Sequence, residues 1–270
     1  TSQLKWAVND NICDLFIDEV MICSNFLPLA FIQNNNPESK DEIKYKLIGL
    51  CGLIKNKNAF LNEKMVWTGN YIPAIYRTYP FKILYDKDNR KKIICFDRSS
   101  ELFTEENDNN SFALFDKDGK ASEFLEKKLE LIISLENSII RTNSAIKIIT
   151  DLNLIEEWNI KLKTAENKVV PLHGLFQVKR DGIQNLNKDE LFKLKECNGL
   201  ELIYSHFCSQ RNIHSFNNNI KHDIIKNDDG LRNLRKEVQI RQENEKIKEV
   251  DDLVKNLLND VWLINKFVII

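Results

Sequence analysis

The sequence predicts an α+β fold, with a mainly antiparallel central sheet flanked by helices and a C-terminal helical extension. Three observations carry that expectation. Short apolar runs bounded by turn residues, such as "YKLIGLCGLI" and "FKILYDKDNRKKIICFD", read as strands. Residues 120–152 repeat apolar side chains at helical spacing, at Phe124, Leu125, Leu129, Ile132, Ile133, Leu135, Ile139, Ile140, Ile146 and Ile149. Beyond residue 217 the composition turns to Lys, Glu, Gln and Arg. The expected organisation is therefore a domain over 1–217 and a helical tail over 218–270.

Taken in order, "ICDLFIDEVMICSNF" (12–26) mixes three- and four-residue apolar steps and predicts a short helix, ended by Pro28. "LPLAFI" then predicts extended chain and "NNNPESKDE" a loop. In "YKLIGLCGLI" the glycines at 49 and 52 point to a strand buried on both faces or closely approached by other backbone. "AIYRTY" (74–79) has room for a turn of helix between Pro73 and Pro80. "FKILYDKDNRKKIICFD" predicts a hairpin turning at Asp86–Arg90. "LFDKDGKASEFL" predicts a turn running into the helix of 120–152, with room for one break. "EEWNIKLK" and "KVVPLHGLFQV" predict two more strands. Asn187 with Glu190 three residues on has the pattern of a capping box and marks a helix start. A further helix is expected over "LELIYSHFCSQRNIHSF".

In the tail, Ile247, Val250, Leu253, Leu257 and Val261 step by three and four. Such a narrow apolar stripe suits a helix docked on the domain or a self-association seam.

Charge and cysteine usage narrow the function classes. With 39 Lys+Arg against 40 Asp+Glu the formal net charge is −1, so nothing advertises a nucleic-acid partner. The tail cations Arg232, Arg235, Lys236 and Arg241 are interleaved with glutamates and read as a solvated face. No run reaches the roughly 20 apolar residues of a transmembrane helix. Six cysteines, none in C-x-x-C spacing and most among apolar neighbours, predict buried reduced thiols and suggest a reducing compartment.

Chemical motifs are scarce. "DKDGK" at 116–120 puts its glycine at the fourth loop position and Lys127 at the twelfth, which fails an EF-hand and leaves a polar turn. His206, His214 and His222 recur every eight residues, a drift of about 80° per step on a helix, so they do not converge on one ion. Ser205, His206, Cys208, Ser209 and His214 lie close in sequence, but local proximity does not assemble a catalytic pair. The chain has no G-x-S-x-G elbow, phosphate loop or G-x-G-x-x-G. No catalytic residue, metal ligand or cofactor follows from these patterns.

The densest signal is "WTGNYIPAIYRTYPF" (67–81), which packs one arginine among three tyrosines, a tryptophan, a phenylalanine and two prolines. Such rings bury large area while their polar tips need partners. The same residue types dominate binding hot spots. The corner therefore reads as a folding element, as a recognition surface, or as both. Trp67, Tyr71, Arg77 and Tyr79 are its candidate binding residues.

Several stretches together resemble the bacterial SapC family, named for its association with surface-layer gene clusters. They are "NFLPLAF", "LIGLCGLIKNKNAFLNEKMVW", "YIPAIYRTYPF", "LFDKDGKASEFL", a Thr142-containing helix leading to "LNLIEEWNI", and the run "HGLFQV", "LNKDELFKL", "NGLELIYSHFCS". They cover about residues 20–216 in one order, and the Y-(I/V)-P-A-x-x-R-x-Y-P-F block is the most specific. Residues 218–270 extend past the resembling region, and the upstream segment usual in such proteins is not seen before Thr1, so the true N-terminus is not visible.

The resemblance implies an accessory protein of the bacterial envelope or surface-layer system, cytoplasmic or peripherally envelope-associated. It supplies no reaction and no catalytic residue. The expected partner is another protein or peptide of that system, with neither nucleic acid nor a membrane span involved and a homo-oligomer through the C-terminal helix left open. The alternative is an enzyme or small-molecule binder with a pocket beside the Trp67–Phe81 corner, drawing on Asp97 or His206, in which Arg77 grips a carboxylate.

Overall fold

The sheet is built from strands whose successive side chains go to two separate cores. In this computed structural model residues 4–34, 43–53, 56–86, 91–97, 99–103, 112–163 and 169–213 are described. The expected tail over 218–270, with His214 and His222, lies outside them. Five strands pair in the order β1 (Ile12–Asp14), β3 (Tyr45–Leu50), β2 (Leu29–Gln33), β9 (Phe176–Val178) and β6 (Ile155–Glu157). Every pairing in the sheet is antiparallel.

Leu29, Phe31, Leu47 and Cys13 face a large core, while Ile12, Ala30, Ile32, Ile48 and Leu50 face a second. That is the two-residue period of a strand covered on both faces. A side chain at Gly49 would meet Leu15 at 2.9 Å, and one at Gly52 would sit 2.0 Å from the Lys57 carbonyl. Both glycines are thus set by close approach, and at Gly52 the approaching atom is backbone.

Helices cover the first face. They are α1 (Val20–Cys23), α2 (Ala74–Thr78), α3 (Glu123–Asp151), α4 (Arg180–Gln184), α5 (Lys188–Glu196) and α6 (Gly199–Ser209). The α3 helix runs unbroken for 29 residues, about 43 Å, from a Ser122 cap whose hydroxyl accepts from the Leu125 amide. At α5 the predicted capping box is present, with Asn187 and Glu190 exchanging side-chain-to-amide bonds of 3.0 and 2.9 Å. The predicted hairpin forms as β4 (Phe81–Asp86) and β5 (Lys91–Phe96) and packs its phenylalanines on the first half of α3. In the 116–120 turn the Asp116 carboxylate accepts from the amides of Asp118 and Lys120, so it serves the loop's own backbone.

Three local expectations are corrected. Residues 12–26 form β1, a 3-10 turn over Ile17–Glu19 and only four residues of α1. Pairing with β3 buries Ile12 and Cys13 on opposite sheet faces, which one helical stripe cannot do. The segment from 155 to 178 gives four short strands where two were expected. Here β7 (Ile160–Lys163) and β8 (Val169–Leu172) leave the main sheet as a hairpin and cover its second face with Ile160 and Leu172. The helix expected over 200–216 is divided: α6 ends at Ser209, and after a turn at 210–211 residues 212–213 are helical again at the edge of the described chain. The cysteines divide as well: Cys13, Cys23 and Cys51 are buried, Cys95 and Cys197 half-buried, and Cys208 exposed, all as free thiols.

The seam between β2 and β9 is held by a side chain. Phe31 pairs with Phe176, a register that sets Leu29 opposite Val178. Between them sits the His206 imidazole, fully buried, with Nδ1 donating to the Leu29 carbonyl at 3.0 Å and Nε2 accepting from the Val178 amide at 3.3 Å. Ser209, one turn on, accepts from the Leu29 amide, and Asn212 donates to the carbonyls of Ser24 and Leu27. One face of α6 thus replaces the missing ladder bonds of the central strand.

Burial holds the His206 pKa down, to about 4, with the nearby Arg180 charge adding and the Leu29 carbonyl partly offsetting. The folded value lies below the ordinary 6.5, so this stabilisation is complete above about pH 6.5 and is lost as pH falls towards 4, by roughly 3 kcal/mol. Urea unfolding should show that loss in the wild type. In His206→Ala, stability should be lower at neutral pH by a similar amount and the acid slope should flatten.

Candidate functional site

The corner at 67–81 is organised around a buried carboxylate. Pro73 precedes α2, and the helix's first amide, at Ala74, donates to Glu19 Oε2 at 2.7 Å. The Phe16 amide donates to Oε1 at 3.3 Å, which ties the 3-10 turn to the corner. Glu19 is only 3% exposed. Its remaining partner is the Tyr71 hydroxyl, which also accepts from an Arg77 Nη. A relay results, Arg77 to Tyr71 to Glu19, in which the hydroxyl accepts from the guanidinium and donates to the carboxylate. The Arg77 guanidinium also lies over the Tyr71 ring, 4.9 Å from its centre.

Burial raises the Glu19 pKa, although the Ala74 amide, Tyr71, the Phe16 amide and Arg77 all pull it back. Burial, with the Glu19 charge behind it, pushes Tyr71 up to about 12. Lys128 donates to the Arg77 carbonyl at 3.1 Å, and burial followed by the Arg77 charge lowers its pKa.

The other candidate residues occupy neighbouring positions. Trp67 is 7% exposed, stacked on Phe60 at 5.0 Å and tilted against Tyr76 at 5.7 Å. Tyr79 is stacked on Trp6 at 4.5 Å and donates to Asp97 at 3.1 Å. The Tyr79–Pro80 peptide is cis. Tyr71 and Arg77 are thus in direct contact, while Trp67 and Tyr79 flank α2 through Tyr76 and Trp6.

Sequence reasoning missed Glu19 and Trp6. Glu19 had a signal, a carboxylate inside the apolar run "LFIDEVMIC"; Trp6 had none. It also left His206 among the candidates for a pocket, whereas the structure spends both ring nitrogens on the sheet seam.

Three buried donors in this corner have no acceptor among the described residues: Trp6 Nε1, Trp67 Nε1 and Arg77 Nε. A side chain at Gly69 would sit 2.7 Å from Trp67 Nε1 and 3.0 Å from the Phe26 ring, so only glycine lets the chain pass this close to the indole. Buried thiols lie next to the corner, with Cys51 Sγ 3.8 Å from the Tyr76 hydroxyl. The Cys13 thiol is pushed up by its bond to Cys51 and by burial, and Cys23 by burial and the Glu19 charge. That is the opposite of what a nucleophilic thiolate requires. Among the described residues no group of three or more His, Cys, Asp or Glu is placed to hold a metal ion. The unmatched polar atoms of this corner are thus all hydrogen-bond donors.

Removing the Glu19 carboxylate should cost more than neutralising it. Glu19→Ala leaves the Ala74 and Phe16 amides without their acceptor, for a loss of roughly 2–4 kcal/mol. Glu19→Gln keeps an acceptor oxygen and should lose less. The wild type should also weaken as pH rises through the elevated Glu19 pKa, since burial opposes the ionised form. Chemical denaturation of both variants between pH 4 and 8 checks the order.

No helix among the described residues is long and apolar enough to cross a membrane. No curated protein and no solved structure matches the chain significantly. The SapC family profile matches residues 1–216, taking in the corner, the buried Glu19 and the α6 seam. That match extends over most of the chain, and the protein belongs to the SapC family.

Proposed function

We propose that this SapC-family chain is a non-enzymatic accessory protein of a bacterial envelope or surface-layer system, and that it binds a peptide segment of a partner at the 67–81 corner. The observation that carries the reading is the set of unpartnered donors on Trp6, Trp67 and Arg77. Elsewhere among the described residues, buried side-chain nitrogens and oxygens have partners. The three nitrogens are themselves buried, so a peptide would reach them by opening the corner, and the backbone carbonyls it carries are the commonest acceptors on a protein.

The fixed guanidinium supports the same reading. Arg77 is held by Tyr71 through its Nη and ring contact, so little side-chain freedom is lost on binding. Tyr79 and Trp6 add a stacked, half-buried aromatic surface beside it.

A second reading rests on Glu19, whose raised pKa beside a tyrosine hydroxyl is a feature of acid–base sites. In that case a small molecule enters next to the corner, with Arg77 on its carboxylate. Both Glu19 oxygens already serve as acceptors for backbone amides, which favours the binding role over proton transfer.

Random dodecapeptides displayed on phage and selected on the wild-type protein provide the test. Selected peptides are expected to bind Arg77→Ala at least tenfold more weakly, with the melting temperature of the variant within about 2 °C of wild type. Equal binding to both proteins would overturn the assignment. A variant that unfolds would make Arg77 a folding element, and Arg77→Lys, which keeps the charge but removes Nε, then provides the comparison.

A further inference from the structure

Two cations meet at the aromatic corner without a carboxylate to share. Lys128, half-buried on the second turn of α3, donates to the Arg77 carbonyl at 3.1 Å, with its ammonium 5.8 Å from the centre of the Phe124 ring. Among the described residues neither Arg77 nor Lys128 forms an ion pair, whereas the adjacent Lys127 pairs with Glu123 and Arg141 with Asp18. The C-terminal end of α2 favours positive charge, but it offers neither cation a counter-ion.

The local balance is therefore positive. Burial lowers the Lys128 pKa and the Arg77 charge lowers it further, with no anion acting in the other direction. The carboxylate that feels Arg77 is Glu19, which is buried, bonded to the Ala74 and Phe16 amides, and disfavoured as an anion by that burial. Capping α2 uses one of the three ammonium donors of Lys128. The Tyr71 contact uses one Nη of Arg77 and leaves Nε without a partner. An anion beside both side chains relieves their mutual repulsion and takes up the spare donors.

We propose that the corner selects an anionic ligand group, a carboxylate of the bound peptide, held by Arg77 and Lys128 together. This rests on the corner's being the peptide site, and it adds Lys128 to the binding residues and an acidic residue or a free C-terminus to the ligand. The chain's own acidic run, Glu105, Glu106 and Asp108, lies outside the described residues and is the competing source of such a group.

Acetate titration of the ¹⁵N-labelled full chain tests the anion site without a peptide. At constant ionic strength made up with chloride, acetate should move the Arg77 Nε–H signal saturably. Lys128→Met should weaken that response at least threefold, and Lys128→Arg, which restores the charge, should recover it. A signal that acetate does not move would overturn the inference, as would an equal response in Lys128→Met. Acetate binding tightened threefold or more by Glu105→Gln, Glu106→Gln and Asp108→Asn together would also overturn it, by assigning both cations to the chain's own acidic run.

Phage-selected peptides, with synthetic copies ending in a free acid or an amide, then identify the source of the carboxylate. Neutralising that carboxylate should weaken binding to wild type at least tenfold and to Lys128→Met less than threefold. Neutral peptides that bind at the corner equally well would overturn the inference while leaving the peptide reading in place. An acetate response with no peptide selected would keep the anion site and overturn the peptide reading.

Discussion

The fold depends on one imidazole placed where two strands do not meet. The central sheet joins an N-terminal half, β1–β3–β2, to a C-terminal half, β9–β6, through a single paired position. Closing that seam by backbone bonds alone would require Leu29 and Val178 to approach as a ladder pair. His206 holds them apart and bonds to both, while Phe31, Trp158 and Phe207 surround its ring. The neutral tautomer with its proton on Nδ1 is the one that satisfies both backbone groups. The two halves of the chain therefore share one core because α6 supplies the bonds the strands leave unmade.

The same solution recurs through the structure. Thr142 and Ser138 on α3 accept from the amides of Ile17 and Asp18 at the start of the 3-10 turn. Glu19 accepts at the start of α2, and Asn58 bridges the Ala7 carbonyl and the Phe60 amide. Short helices and short strands leave many backbone ends, and side chains from distant elements meet them. Against that background the indoles of Trp6 and Trp67 and the Nε of Arg77 stand apart. They are donors of one kind, all around α2, in the stretch where the sequence concentrates its aromatic residues. A fold that matches its internal donors this closely leaves three of them in one corner unmatched, and the proposed peptide acceptor is the reading that accounts for them.

What could be read from the sequence follows the range of the interactions involved. The hairpin, the α5 capping box, the Asp116 turn and the unbroken part of α3 are written in local patterns, and the residues alone announce them. The 12–26 segment was misread because its apolar spacing fits a helix, and only the presence of β3 makes a strand the better choice. The split of 155–178 into four strands depends on which face of the sheet needs covering, which no window of the chain records. In the corner, Tyr71 and Arg77 were legible by residue type, and their contact joins residues only six apart. Glu19 and Trp6 come from far upstream, so their part in the corner is a tertiary fact. His206 drew attention as chemistry because a histidine among serines and a cysteine resembles a catalytic neighbourhood, whereas its burial and both its partners are set by strands more than twenty residues away.

The central claim is that the unmatched donors of the corner are completed by a bound peptide. Nuclear magnetic resonance of the ¹⁵N-labelled protein reports on them directly, through the indole N–H signals of Trp6 and Trp67 and the Nε–H signal of Arg77. On titration with a peptide selected for binding, the account predicts that at least two of these three signals move downfield and become slower to exchange with water, as protons entering hydrogen bonds do. A peptide that binds with all three signals unmoved would contradict it and place the recognition surface elsewhere on the molecule.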